Sequence, residues 1–239
     1  MNNIIEFRGK EMAFLDYKRE KIPLRGYQTN TSENYELLQK ILKINNKKYN
    51  SYVTIATYSD VPRFPLNPKT HWPLFKDWVK IRDETITSID FMLDFDSEPT
   101  IKGLTKAWQD VQTAQKMLSI ILGEQTKYLT IWFSGNKGFH ILGKTKVINT
   151  AQENIDKQLE IAKQIAPLCP TLDTSIYDTA RLRKLLGSYV YSTNFGKTRV
   201  IPISNNKEFL ELLTALNSKE QDKYFADKSL LRTNNINIL

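Results

Sequence analysis

Hydrophobic residues along this chain follow two periods, one typical of helices and one typical of strands. Apolar positions recur every three or four residues in four segments, which predicts amphipathic helices there: residues 32–42, 104–122, 155–165 and 208–216. Shorter apolar runs predict strands: residues 51–57, 86–95, 128–133, 138–142, 187–191 and 198–203. Residues 61–69 contain three prolines and are therefore predicted to form an extended loop.

The order of these elements predicts a mixed fold of the α/β (α+β) class. The apolar run at residues 128–133 ends at the glycine-containing turn SGNKG, and residues 138–142 follow it directly. A short turn of this kind joins antiparallel strands, so a β-hairpin is expected after the long second helix. At least one antiparallel sheet is therefore part of the predicted fold.

Length and composition are those of an ordinary folded protein. The 239 residues suffice for one sizeable core, or for two small lobes sharing a cleft. The hydrophobic fraction of 41% and the charged fraction of 25% lie near globular averages, which disfavours a disordered or fibrous protein. We expect one unit spanning residues 1–239.

The charge balance points to a polyanionic partner. Thirty-four Lys and Arg against 26 Asp and Glu give a formal net charge of +8, and the sequence pI is near 9.3. Nucleic acid is the leading candidate, because a basic surface attracts its phosphates. The alternative is a set of solvated lysines that reflects compositional bias and binds nothing.

Cysteine content and hydropathy exclude several classes of protein. The single Cys169 excludes an internal disulfide, and no Cys/His cluster has the spacing of a structural zinc site. The first residues lack the basic and apolar regions of a signal peptide, and no apolar run approaches a membrane span in length. We expect a cytoplasmic protein without structural zinc and without a membrane partner.

An acidic motif lies within the apolar strand predicted at residues 86–95. The sequence IDFMLDFDSE carries Asp90, Asp94 and Asp96, and alternate residues of a strand share a face. Carboxylates at Asp94 and Asp96 would lie roughly 7 Å apart at their Cα atoms and could jointly hold two Mg²⁺ or Mn²⁺ ions. A strand that merely ends in a polar turn would explain Asp96, but Asp94 would remain a buried charge needing a cation.

A second motif, FSGNKGFHILG, spans the predicted hairpin. Gly135 and Gly138 would let backbone N–H groups approach an anion closely, while Ser134, Lys137 and His140 offer hydrogen-bond donors to phosphate oxygens. A triphosphate would fit there. A glycine-rich turn or a single histidine is also common as a purely structural feature, so this motif gains weight only beside the others.

The third motif is LDTSIYDTARLRKLLGS. It places Asp173 ahead of four polar or basic residues, namely Arg181, Arg183, Lys184 and Ser188. Taken alone, the basic run with interleaved leucines would be explained as an amphipathic helix with a basic outer face.

In this order the three motifs resemble the catalytic core of the archaeo-eukaryotic primase superfamily. That core has an acidic pair on a strand, an S-G-x-x-G-x-H hairpin, and a third acid followed by an Arg-containing segment ending in Gly-Ser. The match covers about 95 residues, from Asp94 to Ser188. The family's usual second arginine is replaced by Lys184, its usual proline by Leu186, and its zinc knuckle is absent. The chain is most similar to the compact primase-polymerases of plasmids, viruses and mobile or defence loci.

The resemblance implies a specific architecture and site. It implies a primase-polymerase catalytic core with an antiparallel RRM-like sheet, and an N-terminal α/β lobe around a central cleft. The corresponding sub-lobes are residues 1–85, 86–204 and 205–239. The implied ligands of the catalytic Mg²⁺ or Mn²⁺ are Asp94, Asp96 and Asp173. The implied nucleotide-binding residues are Ser134, Gly135, Lys137, Gly138, His140, Arg181, Arg183, Lys184 and Ser188, with either Arg183 or Lys184 serving as the second basic group.

The implied activity is that of a DNA primase or DNA polymerase. Such an enzyme would join NTPs or dNTPs on a single-stranded DNA template by a two-metal mechanism, with a helicase or another replication or defence protein as a further partner. Two alternatives stay open. A metal-dependent nuclease would also use Asp, His and Lys, and a non-catalytic nucleic-acid-binding module would share the hairpin and sheet.

Overall fold

The computed structural model describes residues 9–16, 24–28, 49–59, 81–146 and 150–228. The strands are β1 (Glu11–Asp16), β2 (Leu24–Gln28), β3 (Tyr49–Thr54), β4 (Ala56–Tyr58), β5 (Ile86–Asp96), β6 (Thr130–Phe133), β7 (Gly138–Lys146), β8 (Leu182–Lys184), β9 (Tyr189–Ser192), β10 (Gly196–Arg199) and β11 (Ile201–Pro202). The helices are α1 (Ile101–Leu122), α2 (Ala151–Ile165), α3 (Asn206–Leu216) and α4 (Gln221–Asp227). The helix predicted at residues 32–42 and the loop predicted at residues 61–69 lie outside the described residues.

The strands form three sheets. The largest has the order β11-β6-β7-β5-β4, a second has the order β2-β1-β3-β8, and β9 and β10 form a two-stranded ribbon. Every strand pair within these described sheets is antiparallel. The mixture of helices with antiparallel sheets is the predicted α+β class. None of the helices in the described ranges has the length and apolarity needed to cross a bilayer.

The main core lies between the five-stranded sheet and helix α1. Phe91, Leu93 and Phe95 project from one face of β5 and belong to the same buried cluster as Trp108 of α1. Trp108 stacks on Phe209 of α3, with ring centroids 5.0 Å apart, which joins the third helix to this layer. Because alternate residues of β5 point the other way, the acids of this strand lie on the face away from α1.

Local signals explain where the long helix begins and ends. The Thr100 side chain accepts a hydrogen bond from the backbone N–H of Gly103, which satisfies one of the free donors at the start of α1. Gly123 follows the last turn with a φ of 55°, a conformation that favours glycine. The helix therefore has a defined entry directly after the acidic end of β5.

Several elements match the sequence predictions. The strand expected at residues 86–95, the long helix, the hairpin at residues 128–142 and the helix at residues 155–165 are all present. Strands β1 and β2 and helix α4 were not predicted, and β7 continues to Lys146 beyond the expected end.

Two predictions about continuous strands were wrong. The run at residues 51–57 is divided at Ile55, so β3 belongs to one sheet and β4 to another. The Ile55 N–H donates to the carbonyl of Arg181, and the Thr54 hydroxyl donates to the carbonyl of Ala56, which holds the bend. The run at residues 198–203 is likewise divided between β10 and β11.

The basic run before Gly187 is a strand and a turn, not an amphipathic helix. Residues Leu182–Lys184 form β8, which pairs with β3, with Arg183 opposite Val53. The four-stranded sheet thus includes a strand from the expected central lobe at residues 86–204. Pairing with an existing sheet edge overrides the weak helical periodicity of these few residues.

Candidate active site

The acidic end of β5 is flanked by a different strand segment on each side. Asp94 is the register partner of His140 in β7. On the other edge, the Asp173 N–H donates to the Asp94 carbonyl at 2.8 Å, and a β-bridge joins Phe95 to Leu172. Residues opposite one another in antiparallel strands share a face. His140, Asp94 and Asp173 therefore form one row across the sheet, with Asp96 on the same face two residues along.

Asp94 is the buried centre of this row. It is 6% exposed, its Oδ1 lies 3.3 Å from His140 Nε2, and its Oδ2 lies 3.8 Å from Arg181 Nη2. Burial by itself raises the pKa of Asp94, but His140, Arg181 and Lys137 outweigh burial and lower it. Apart from this His140 contact, Asp94 Oδ1 has no hydrogen-bond partner among the described residues. Asp94 is thus an ionised carboxylate with free ligand capacity.

Asp96 lies closer to solvent and is held by a lysine. Its Oδ2 is 2.7 Å from Lys137 Nζ, in the turn of the β6–β7 hairpin. Burial and the neighbouring charge of Asp94 raise the pKa of Asp96, and Lys137 only partly opposes them. For Lys137 the balance is reversed: burial would lower its pKa, but the attraction of the acids raises it. Two carboxylates that disfavour each other's charge would be stabilised by an added cation.

Asp173 meets Asp94 through the backbone, while its side chain makes a local turn. Asp173 Oδ1 accepts hydrogen bonds from the backbone N–H of Ser175 at 2.8 Å and from its hydroxyl at 2.6 Å. This is a typical turn contact for aspartate. Both serine contacts use Oδ1, and the role of the Asp173 side chain as a metal ligand stays a prediction.

The glycines of the hairpin turn are explained by packing. A Cβ on Gly138 would lie 1.6 Å from the Phe95 carbonyl oxygen, so only glycine allows β7 to approach the end of β5. Gly135 has a φ of 85°, and its added Cβ would lie 2.6 Å from Val190. Ser134 is buried, and its N–H donates to the Gly138 carbonyl to close the turn. These residues shape the turn that carries Lys137.

The basic residues of the third motif divide between the site and the interior. Arg181 is partly exposed beside Asp94, and its Nε has no hydrogen-bond partner among the described residues. Arg183 is 2% exposed and pairs with Asp90, its Nη2 lying 3.2 Å from Asp90 Oδ2. Ser188 is also buried, and its hydroxyl donates to the carbonyl of Leu185 at 2.7 Å. Arg183 and Ser188 thus have structural contacts in this arrangement.

Lys184 points to the opposite face of β8 from Arg183. Its Nζ lies 3.4 Å from the Tyr52 hydroxyl and 5.1 Å from the centroid of that ring. Burial lowers the pKa of Lys184 to about 8, and the charges of Asp96 and Asp94 oppose this shift. Its ammonium is therefore within electrostatic reach of the acidic end of β5.

The donor set at this end of β5 fits a hard divalent cation in part. Asp94 Oδ1 is a buried carboxylate oxygen without a hydrogen-bond partner, and Asp96 lies on the same face. Within the described ranges, no three His, Cys, Asp or Glu side chains already surround a common point as a metal site would require. The two carboxylates of β5 are accordingly the side chains that could hold such a cation.

Sequence reasoning missed the buried Asp110 of α1. Its Oδ2 accepts hydrogen bonds from the backbone N–H of Thr171 at 2.8 Å and from the Thr171 hydroxyl at 2.7 Å. The Thr171 carbonyl in turn accepts from the Asp96 N–H. Asp110 thereby fastens the segment that ends at Asp173 to the main core. The available signal was an acid next to the apolar stripe of an amphipathic helix.

Tyr177 is a further residue of the site region. Its hydroxyl is buried without a hydrogen-bond partner among the described residues. Burial, followed by the charges of Asp94 and Asp173, raises the pKa of its phenol well above the usual range. The phenol is therefore a neutral donor close to the acids.

No family model matches this sequence, and no curated protein matches it. Solved structures do match. The polymerase domain of Mycobacterium tuberculosis ligase D, solved in complex with DNA, gives a TM-score of 0.52 at 12% identity and covers 94% of this chain and 83% of that one.

Two further structures match over comparable lengths with lower scores. The AEP domain of the cyanophage S-2L primase-polymerase has a TM-score of 0.43 at 13% identity, covering 87% of this chain and 90% of that one. The primase RepB' has a TM-score of 0.43 at 10% identity, with 91% of this chain covered. This chain spans 62% of the length of that primase.

The ligase D likeness covers nearly the whole chain and shows the fold. The chain has an α+β fold of the archaeo-eukaryotic primase type, as the three motifs predicted. At 12% identity the likeness concerns the fold alone. The function must be argued from the residues of the site.

Proposed function

We propose that this chain is a template-dependent nucleotidyl transferase of the primase-polymerase type. The observation that carries the proposal is the row of His140, Asp94 and Asp173, joined by Asp96, on one face of the main sheet. Three separate segments of sequence contribute to it, and Lys137 and Arg181 approach it as cations. Acids ringed by cations suit a substrate that is itself an anion and is handled with a divalent metal.

The proposed substrates are a nucleoside triphosphate and the 3′ end of a growing strand on single-stranded DNA. In the reaction the 3′ oxygen forms a bond to the α-phosphorus, and the bond between the α- and β-phosphates breaks to release pyrophosphate. The proton of the 3′ hydroxyl passes to solvent. No side chain of the protein needs to form a covalent bond.

The basic residues of the site have proposed roles in binding the triphosphate. Lys137 and Arg181 now neutralise Asp96 and Asp94 and would turn to the phosphates of an incoming triphosphate. His140, whose Nδ1 is buried without a hydrogen-bond partner among the described residues, would orient Asp94 and one phosphate oxygen. Lys184 is the better candidate than Arg183 for the second basic group, because Arg183 is occupied by Asp90.

Mg²⁺ or Mn²⁺ would be held by Asp94 and Asp96, with Asp173 as a third ligand. When bound, the metal supplies positive charge that stabilises the attacking and leaving oxygens. The side chains of the site would hold it near the triphosphate, and the burial of Asp94 would limit competition from water for that carboxylate.

The proposal is tested by incubating the protein with a single-stranded template, Mg²⁺ or Mn²⁺ and labelled nucleotides, with and without a primer. We expect labelled products whose composition follows the template. Asp94→Asn keeps the side-chain volume but removes the charge, and should reduce incorporation by roughly a hundredfold or more. Glu160→Gln, at an exposed position on α2, is the matched control and should leave incorporation unchanged.

The same assay separates this function from the nuclease. Degradation of the template in the absence of nucleotides, lost in Asp94→Asn, would replace the proposal with phosphodiester hydrolysis. If the protein binds nucleic acid but neither synthesises nor cleaves it, the result would favour a non-catalytic nucleic-acid-binding module.

A further inference from the structure

The β9–β10 ribbon has two chemically different faces. Its inner face carries Val190 and Thr198, both buried. These side chains pack on the hairpin turn, since Thr198 Oγ1 donates to the carbonyl of Gly135. The ribbon therefore lies directly over the turn that supplies Lys137 to the proposed active site.

The outer face of the ribbon carries Tyr189, Tyr191, Lys197 and Arg199, which we call the ribbon face. Lys197 is opposite Tyr191 in the pairing, and Arg199 is opposite Tyr189. The four side chains share one face because alternate residues of a strand point the same way. Both tyrosines and Lys197 are partly exposed. Aromatic rings and cations are thus interleaved within four positions of a ribbon.

The positive charge of the ribbon face is not neutralised locally. Lys197 Nζ lies 4.5 Å and Arg199 Cζ lies 4.8 Å from the centroid of the Tyr189 ring. Within the part of the chain that the structure describes, neither cation forms an ion pair with a carboxylate. Arg199 is buried and its Nε donates to the Gly187 carbonyl at 2.6 Å, so Lys197 is the cation of this face that is available to an anion.

A second tyrosine–cation pair connects the ribbon face to the acids. The Asn50 side chain donates to the Tyr191 carbonyl at 3.4 Å and accepts from the Tyr191 N–H at 3.0 Å, which fastens the ribbon to β3. Two residues along β3, Tyr52 faces Lys184, whose ammonium is within reach of Asp96 and Asp94. Tyrosines and cations thus continue from the ribbon to the proposed catalytic centre.

We propose that the ribbon face binds the single-stranded DNA template, with a base stacked on Tyr189 and a phosphate paired with Lys197. This inference rests on the proposed function and gives the template a location on the protein. Stacking on aromatic rings beside a basic track is how proteins bind single strands without sequence preference. An acidic protein partner would use the cations but would gain little from the planar rings.

The test measures binding of a fluorescent oligothymidylate by anisotropy, with chelator and without nucleotide. Tyr189→Leu removes a stacking surface and should weaken binding about 5- to 100-fold with the same salt slope. Tyr189→Phe keeps the ring and should bind nearly as the wild type does. Lys197→Gln removes a phosphate contact and should make the slope of log affinity against log salt shallower by about 0.7.

A similar tyrosine–cation pair elsewhere provides the control. Lys127 Nζ lies 5.2 Å from the Tyr128 ring centroid beyond the end of α1, but this lysine is paired with Glu124 at 3.7 Å. Tyr128→Leu and Lys127→Gln should leave the affinity unchanged. A duplex of the same length is a second control, because its bases are already stacked and Tyr189→Leu should not alter its binding.

Two results would overturn the proposal. One is wild-type affinity in both Tyr189→Leu and Lys197→Gln. The other is a loss in Tyr128→Leu as large as that in Tyr189→Leu. Circular dichroism would detect unfolding of Tyr189→Leu. In that case Lys197→Gln, which changes a partly exposed side chain, tests whether the ribbon face binds the template. Binding is measured without nucleotide, so the two proposals can fail separately. If the ribbon face does not bind the template, the wild type can still synthesise DNA. If the protein is not a polymerase, it can still bind the oligonucleotide through the ribbon face.

Discussion

Removing the Asp110 carboxylate should loosen the segment that carries Asp173. Asp110 accepts two hydrogen bonds from Thr171, at 2.8 and 2.7 Å, and is only 8% exposed. Hydrogen bonds to a charged group contribute about 1.5–3 kcal/mol each. Because the threonine hydroxyl can turn to another acceptor, we expect Asp110→Ala to lower the free energy of unfolding by about 3–5 kcal/mol. That is a large part of the stability of a typical domain, about 5–15 kcal/mol.

Urea denaturation measures the global loss, and amide hydrogen exchange locates it. The Asp96 and Asp173 N–H groups donate to the Thr171 and Asp94 carbonyls, so their protection should fall more than that of amides within β7. Thr171→Val removes only the hydroxyl contact, and its destabilisation should be about half as large. Thr113→Val, at a partly exposed position on α1, should change stability by less than about 0.5 kcal/mol.

A small loss of stability in Asp110→Ala, or a loss spread evenly over the core, would contradict this role of Asp110. A loss below about 1 kcal/mol in Asp110→Ala would mean that water replaces the carboxylate at Thr171. Equal loss of protection at Asp96, Asp173 and the centre of β7 would mean that Asp110 supports the whole core and has no special connection to the acidic segment.

Three further predictions concern single residues. His140→Ala should raise the apparent KM for nucleotide roughly ten- to a hundredfold, with little change in template Kd, because a charge-assisted contact to phosphate is lost; an unchanged KM would reject its role in binding the triphosphate. Gly138→Ala should prevent stable folding, since its Cβ would lie 1.6 Å from the Phe95 carbonyl, and a wild-type melting temperature would contradict this packing. Burial, with a smaller effect of the Asp110 charge, raises the pKa of Cys169 to about 11, so alkylation at pH 8 should be slow in the native protein and fast in urea; equal rates would disprove its burial.

The local elements of this protein could be predicted from its sequence. The strand period of IDFMLDFD was enough to put Asp94 and Asp96 on one face, and helical periods located α1 and α2, because these patterns depend only on backbone geometry. The hairpin at SGNKG was equally local. The bend at Ile55 could not be predicted from a short-range pattern, because there one apolar run contributes strands to two sheets.

The contacts between residues that are distant in the sequence depend on tertiary packing and could not be predicted from local patterns. Asp173 lies opposite Asp94 because residues 171–173 pair with the end of β5, a contact that depends on the packing of α1 and its Asp110. Arg183 and Lys184 have similar charges in the sequence. The pairing of β8 with β3 sends Arg183 to the buried Asp90 and Lys184 towards the acids. The physical reason is that a strand's register fixes the face of each side chain, and register is set by the partner strand and the core beneath it.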